Sequence, residues 1–199
     1  DFLLDGEGGL EKIRAGLTAD RIALDAPGLF KRPVSYQSVD IAADYLTGSR
    51  QFEVSKLAVA AQGFRFDATG TLTLNEAGAP GIVAKGRIPA LPVRTLLTYW
   101  PLPVAAGARD WIDENIFAGD IGPLQADVNF APGLLDQEIL PEESMKLTFS
   151  MRNLEGSYVK GLTRATGVNG DAVMTGDTFR ASFSTGRVGN LVATRGTAA

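Results

Sequence analysis

The chain has 199 residues, of which 45% are hydrophobic and 21% charged, a balance typical of folded globular proteins. It contains no cysteine and no histidine, which excludes disulfides, thiolate or imidazole metal ligands, and catalytic triads that need either residue. The formal net charge of −4 argues against a basic nucleic-acid-binding face. We therefore expect no metal, no cofactor and no nucleic-acid partner.

The first residues, Asp1-Phe2-Leu3-Leu4, have the apolar character of the interior of a strand, and no signal sequence opens the chain. No stretch reaches the roughly 18 apolar residues that a membrane-spanning helix needs. We interpret residues 1–199 as a single β-rich fragment of a larger protein, and expect any membrane anchor to lie outside it.

The first half of the chain alternates between apolar and polar residues with a period of two, the pattern of antiparallel strands with one buried face. In chain order, this pattern predicts strands over residues 39–45, 52–61 and 64–74. The phase of the alternation shifts at Ser55-Lys56, which predicts a β-bulge. Gly63 lies in a two-residue connection, so these strands are predicted to follow one another in a meander.

The middle of the chain departs from this pattern, and we predict a two-helix insertion at about residues 92–118. Pro92 and Pro101 bracket a short predicted helix, and residues 104–117 have helical spacing with Gly119 as their predicted end. The predicted apolar face of the second helix consists of Val104, Ala108, Trp111, Ile112 and Ile116. Its opposite face carries Arg109, Asp110, Asp113 and Glu114.

Further alternating strands are predicted over residues 124–130, 145–151 and 179–183, after a longer loop over 131–143. Together these elements predict a mainly β fold, with a long antiparallel sheet that is strongly twisted or curved. A curved sheet of this kind would form a β-groove, also described as a β-taco.

Carboxylates are the remaining option for catalysis, since the chain has no histidine or cysteine. Asp110, Asp113 and Glu114 share one helix face, and two carboxylates suffice for glycoside hydrolysis. A charged helix face is more often simply solvated, so we expect no catalytic residue and no enzyme. The spacings of a calcium loop and of a phosphate-binding loop are both absent.

The alternating apolar face must be covered by something. On the pattern alone, a closed sandwich core is the favoured interpretation, and an apolar groove that contacts lipid acyl chains is the functional one. The candidate groove residues are Phe64, Phe66, Leu72, Leu74, Val128, Phe130, Leu147, Phe149, Met151, Phe179 and Phe183. In the helical insertion, Trp100, Trp111, Ile112 and Ile116 either pack as a satellite core, which we favour, or plug the groove.

Two segments resemble the periplasmic regions of AsmA-like proteins, closest to the YhdP branch of that family. The first comprises Tyr99-Trp100-Pro101, Ala108-Arg109-Asp110-Trp111-Ile112 and Gly119-Asp120-Ile121. The second runs from Tyr158-Val159-Lys160-Gly161-Leu162 to Gly170 and then over residues 176–188, and it departs from the family at Thr163, where a proline is common.

This resemblance implies a cell-envelope protein that is anchored in the inner membrane by a segment outside this chain. Its periplasmic part would be a β-groove that carries phospholipid between the inner and outer membranes, as related TamB-type and bridge-like lipid carriers are thought to do, in outer membrane biogenesis. The expected partners are then phospholipid and the two membranes. The alternative is a non-enzymatic β-sandwich or adhesin-like interaction module with a closed core. Neither interpretation fixes an oligomeric state.

Overall fold

The computed structural model describes residues 2–4, 10–75, 79–134, 137, 140–157 and 163–198. Within these ranges the chain forms fourteen strands and two α-helices. The strands before the helices are β1 (Phe2–Leu4), β2 (Leu10–Leu24), β3 (Val34–Leu46), β4 (Gln51–Ala61), β5 (Phe64–Leu74), β6 (Pro80–Ile88) and β7 (Leu91–Pro92). The helices are α1 (Val93–Tyr99) and α2 (Ala106–Asn115). The later strands are β8 (Ile116–Ile121), β9 (Leu124–Phe130), β10 (Met145–Gly156), β11 (Ala165–Thr175), β12 (Phe179–Val188), β13 (Leu191–Ala193) and β14 (Gly196–Ala198).

The described strands belong to one antiparallel sheet that does not close on itself. Its order follows the chain from β1 to β6, continues with β9, and runs on through β10, β11, β12 and β13. β14 also pairs with β12, and β8 pairs with the second half of β10 and with β7. The prediction of a mainly β protein with one large antiparallel sheet and two helices is therefore confirmed.

A bulge occurs in β4 where the sequence predicted one. The register of β4 against β5 shifts between Val54 and Leu57, and the Ser55 hydroxyl donates to the Ala42 carbonyl oxygen at 3.2 Å. Because Val54 lies opposite Ala43 and Leu57 lies opposite Ile41 in β3, the bulge returns the apolar residues to one face of the sheet.

The second helix is shorter than predicted, and its predicted end is wrong. α2 ends at Asn115, Ile116 begins β8, and Gly119 lies within that strand with a φ of 102°. The register of β8 against β10 shifts between Arg152 and Glu155, close to Gly119. The positive φ of Gly119 therefore belongs to an irregular strand pair and not to the end of a helix.

The prediction for the two faces of the second helix is wrong at three positions, although Ala108, Ile112 and Ile116 are half-buried and Asp110 and Glu114 are exposed as predicted. Val104 and Trp111 are 55% and 43% exposed, whereas Arg109 is only 2% exposed. The Arg109 guanidinium donates to the carbonyl oxygens of Trp100 at 3.3 Å and Leu97 at 3.5 Å. These carbonyls lie at the end of α1, where backbone acceptors lack partners within the helix, so a buried cation replaces the expected apolar contact.

Two clusters of buried residues make up much of the core in the described part of the chain. One joins the insertion to the sheet and consists of Leu91, Leu96 and Ile121, with Phe64, Ile88, Trp100 and Phe149 packed against it. The other lies at the β10–β12 end and consists of Met151, Leu154, Ala172 and Ala181, with Ile116, Phe149, Val168 and Phe183 packed against it. Phe149 contacts both clusters, so it links the helices to the later strands.

Candidate functional site

One apolar face extends across the sheet, as the strand registers show. Leu72 of β5 lies opposite Ile82 of β6, which in turn lies opposite Phe130 of β9. Residues directly opposite each other in an antiparallel pair project to the same face, so these three side chains form one apolar row. In the next row, Ala84 lies opposite Val128.

Further rows carry this face to the last long strand. Ala126 of β9 lies opposite Leu147 of β10, which lies opposite Met174 of β11, and Met174 lies opposite Phe179 of β12. Because side chains alternate along each strand, the registers place all the candidate groove residues on this face. They are Phe64, Phe66, Leu72, Leu74, Val128, Phe130, Leu147, Phe149, Met151, Phe179 and Phe183.

The same face continues over β2, β3 and β4, which the list of candidate residues omitted. The ring centroids of Tyr45 and Phe52 lie 4.6 Å apart on these strands. The other apolar residues of the face here are Ile13, Leu17, Val39, Ile41, Val54, Leu57 and Val59. The period-two alternation that identified the other strands is the signal that would have included them.

Most of this apolar face is only half buried. Among the candidate groove residues, Met151 is buried and Phe179 is 44% exposed, and the rest lie between these extremes. The two helices cover one end of the face, where the Tyr99 ring stacks on Phe64 with centroids 4.6 Å apart. Contiguous exposed apolar surface marks a site for a partner, a membrane or a ligand.

The residues of the insertion differ in how closely they pack. Trp100 packs against the cluster around Leu96, and its indole Nε1 donates to the Val104 carbonyl oxygen at 2.6 Å. Ile116 packs against the cluster around Met151, and Ile112 is half-buried. Trp111 remains 43% exposed, so it does not form part of either buried cluster.

The opposite face of the sheet is polar and carries ion pairs between neighbouring strands. Asp44 of β3 pairs with Lys12 at 2.7 Å and with Arg14 at 2.8 Å, both on β2. Lys85 of β6 lies 3.4 Å from Asp127 of β9. The two faces of the sheet therefore differ sharply in chemistry, as expected of a sheet with one face toward water.

A depression of about 690 Å³ lies on this polar face and not on the apolar one. Four basic residues from β4, β6 and β10 line it, namely Lys56, Lys85, Arg87 and Lys146. The acidic residues Asp67 and Asp127 lie among them. This depression is therefore distinct from the candidate apolar groove, whose residues lie on the other face of the sheet.

Two of the three helix carboxylates considered for hydrolysis, Asp110 and Asp113, are engaged in ion pairs. Asp113 is hydrogen-bonded to Lys31 and lies 2.9 Å from Arg94 Nη1, and Asp110 lies 3.2 Å from Arg109. The hydrogen bond from Lys31 holds the pKa of the Asp113 carboxyl below its usual range. A general acid needs a raised pKa, so these contacts favour a role for Asp113 in fastening α2 to its neighbours.

Acid is expected to weaken the fold through Asp44. The hydrogen bonds from Arg14 and then Lys12 lower its pKa from 3.8 to about 2. Because the unfolded state binds the proton more readily, this stabilisation is complete above the unfolded pKa and is lost as the pH falls from about 3.8 to 2. Urea titrations across this range should show stability falling with pH, and Asp44→Asn should flatten the slope. A slope equal to that of the wild type would contradict this assignment.

Across the described ranges, no group of three or more acidic, histidine or cysteine side chains is arranged to hold a metal ion. The helices in this part of the chain are too short and too polar to cross a bilayer.

The chain matches no protein-family model, and no curated protein or solved structure matches it. The resemblance to AsmA-like proteins therefore rests on the residue pattern alone. Its first segment, residues 99–121, covers the end of α1, α2 and β8. Of its second segment, residues 158–162 lie outside the described residues, Gly170 lies in β11, and residues 176–188 form the turn after β11 and then β12.

Proposed function

We propose that this chain is a non-enzymatic carrier of phospholipid, which binds acyl chains on the apolar face of its sheet. The observation that carries the proposal is the continuity of this half-exposed face from β2 to β12 in a sheet that does not close. In cellular terms, the chain is a periplasmic segment of an AsmA-like protein, anchored in the inner membrane through a segment outside it. It carries phospholipid between the inner and outer membranes.

The energy for binding comes from removing hydrocarbon from water. Each buried CH₂ group contributes roughly 0.8 kcal/mol, so an acyl chain lying on several strands is held by many small contacts. Neighbouring strands are about 4.8 Å apart. The strands β4, β5, β6 and β9 are paired side by side and share rows of this face, such as the row through Phe52, Leu72, Ile82 and Phe130. An acyl chain that moves across the strands therefore exchanges one apolar contact for another, while the lipid headgroup stays in water.

The acyl chain would follow the rows of apolar residues across the strands, which we call the track. The helical insertion limits this track on one side. α1 and the residues that follow it cover Phe64, Ile88 and Phe149, at one end of the strands. The row through Leu72, Ile82 and Phe130 lies toward the opposite end, away from these contacts. The proposed track therefore runs along the rows that the helices leave open.

A matched pair of double variants tests this function. Leu72→Asp with Val128→Asp places two charges on the apolar face, whereas Thr73→Asp with Asn129→Asp changes the adjacent positions, which face the polar side. Organic extracts of the purified proteins, analysed by mass spectrometry, should contain phospholipid for the wild type and the polar-face variant. We expect at least about tenfold less from the apolar-face variant, because a carboxylate is costly to bury against hydrocarbon.

Transfer between vesicles provides the second measurement. The wild type and the polar-face variant should move a fluorescent phospholipid from donor to acceptor vesicles, and the apolar-face variant should not, while circular dichroism shows that all three remain folded. Wild-type protein without lipid or transfer activity, together with unfolding of the apolar-face variant, would instead favour the interaction module with a closed core.

A further inference from the structure

The depression on the polar face takes no part in the proposed binding of acyl chains. Residues directly opposite each other on neighbouring strands share a face, so two rows of side chains form its walls. One row consists of Asp67, Arg87, Gln125 and Thr148. The other consists of Thr69, Lys85, Asp127 and Lys146. Between them lie Ala68, Gly86 and Ala126, which alternate toward the apolar face, so backbone forms the floor.

The size and charge of this depression suit a small anion. Its volume of about 690 Å³ is in the range of sites that bind small molecules. Four basic and two acidic side chains line it and give it a net charge of +2, whereas the whole chain carries −4. A concave positive surface on a negative protein concentrates anions there, because the local field is focused by the walls.

Two of the four cations have no anionic partner in the described part of the chain. Lys56 is hydrogen-bonded to Asp40, which lies outside the depression, and Lys85 lies 3.4 Å from Asp127. Arg87 and Lys146, by contrast, form no hydrogen bond or ion pair with another described residue.

These two cations flank β9 from its two sides. Arg87 of β6 lies opposite Gln125, and Lys146 of β10 lies opposite Asp127. Both basic side chains are exposed. A ligand that lies over β9 therefore meets a guanidinium, an ammonium and the Gln125 amide, and it displaces no existing ion pair of Arg87 or Lys146.

We propose that this depression binds a phosphate monoester of a sugar or another polyol. A monoester carries a charge near −2 at neutral pH and three acceptor oxygens, which matches the two cations without partners, whereas a phosphodiester carries a single charge. The Gln125 amide and the hydroxyls of Thr69 and Thr148 provide donors and acceptors for the hydroxyl groups of the ligand. None of the described residues that line the depression is aromatic, so it offers no stacking surface to a nucleobase.

Isothermal titration calorimetry of the full chain tests the ligand class, with glucose 6-phosphate as the probe. We expect saturable binding with a Kd below about 1 mM. Glucose and the phosphodiester glycerophosphocholine should each bind at least about tenfold more weakly, because they lack the dianionic group. Absence of saturable binding of glucose 6-phosphate would overturn the proposal, and so would equal affinity for glucose or for the phosphodiester.

A matched pair of double variants tests the location of the site. Arg87→Gln with Lys146→Gln removes the two cations and should weaken binding of glucose 6-phosphate by at least about tenfold. Arg32→Gln with Arg187→Gln makes the same change in net charge at exposed positions outside the depression, and it should leave the affinity unchanged. Circular dichroism checks that both variants are folded. An equal loss of affinity in the two variants would mean a general attraction of anions and would overturn the site.

A single variant tests the role of charge in the opposite direction. Asp127→Asn removes the carboxylate that pairs with Lys85 and repels an anion, so it should tighten binding of glucose 6-phosphate by about threefold. Weaker binding by this variant would contradict the assignment of the phosphate group to the cations around β9.

Discussion

Replacing Gly119 by alanine is expected to destabilise the fold by about 3 kcal/mol or more, because the substitution combines backbone strain with a backbone clash. Gly119 has a φ of 102°, a conformation that residues with a Cβ rarely adopt. An added Cβ would lie 2.5 Å from the Asn153 carbonyl oxygen and 2.6 Å from the Leu154 Cα atom. Both contacts are to the backbone of β10, so no side-chain rotation relieves them.

Gly107→Ala is the matched control for this substitution. Gly107 lies in α2, and apart from its chain neighbours and the backbone of its own helix no atom lies within 4 Å of the position that its Cβ would occupy. Alanine is favoured over glycine in a helix by roughly 0.8–1 kcal/mol, so this variant should be slightly more stable than the wild type. Urea unfolding of both variants measures the difference. Equal midpoints would show that β8 and β10 can separate to admit a side chain at position 119.

Truncation of Leu96 to alanine is expected to cost about 2–5 kcal/mol of unfolding free energy. Leu96 is 4% exposed and packs with Leu91 and Ile121, where the insertion meets the sheet. The lost stability has two causes. The removed methyl groups no longer gain free energy by leaving water for the core, and a cavity remains where the surrounding structure does not collapse around the smaller side chain. Thermal or urea unfolding monitored by tryptophan fluorescence reports this loss directly, since Trp100 packs against the same cluster.

Val104→Ala is the comparison for the Leu96 substitution. Val104 is 55% exposed, although the helical spacing of the sequence placed it on the apolar face of the second helix. Its truncation should change the unfolding free energy by less than about 0.5 kcal/mol. A large effect at Val104 and a small one at Leu96 would mean that the helices pack on the sheet in another orientation.

The strands were the most predictable part of this molecule. β5 and β9 have the bounds that alternation predicts, residues 64–74 and 124–130, and the bulge near Ser55 occurs where the phase shifts. This success has a physical reason: each strand has one side toward water and the other toward apolar neighbours, so polarity switches at every residue.

The helical insertion was predicted less well, because its decisive contacts are not periodic. Arg109 is buried by carbonyl acceptors that α1 presents, and no spacing within α2 indicates such acceptors. Gly119 likewise resembles a helix terminator in sequence, but its conformation is set by β10. Contacts between elements that are distant in the chain decided both positions.

The candidate site was predictable in part, since it depends both on alternation within strands and on contacts between distant elements. Alternation identified the residues that share a face within each strand, such as Phe64 and Phe66 of β5. It did not reveal that β6 and β9 are neighbours, nor that the helices cover only one end of the face. Those features depend on topology, which a pattern with a period of two leaves open.

The order of strands in the sheet also shapes how the molecule responds to damage. Since nearly every strand pairs with its neighbour in the chain, the domain resembles a linear array, whose stability is a sum of nearest-neighbour terms. The junction between β6 and β9 is the exception, because β7, both helices and β8 separate these strands in the chain. Closing this long loop carries a larger entropy cost than closing the short turns, so we expect the two parts of the sheet to form first and to join at this junction when the insertion packs Ile88 and Phe149 into one cluster.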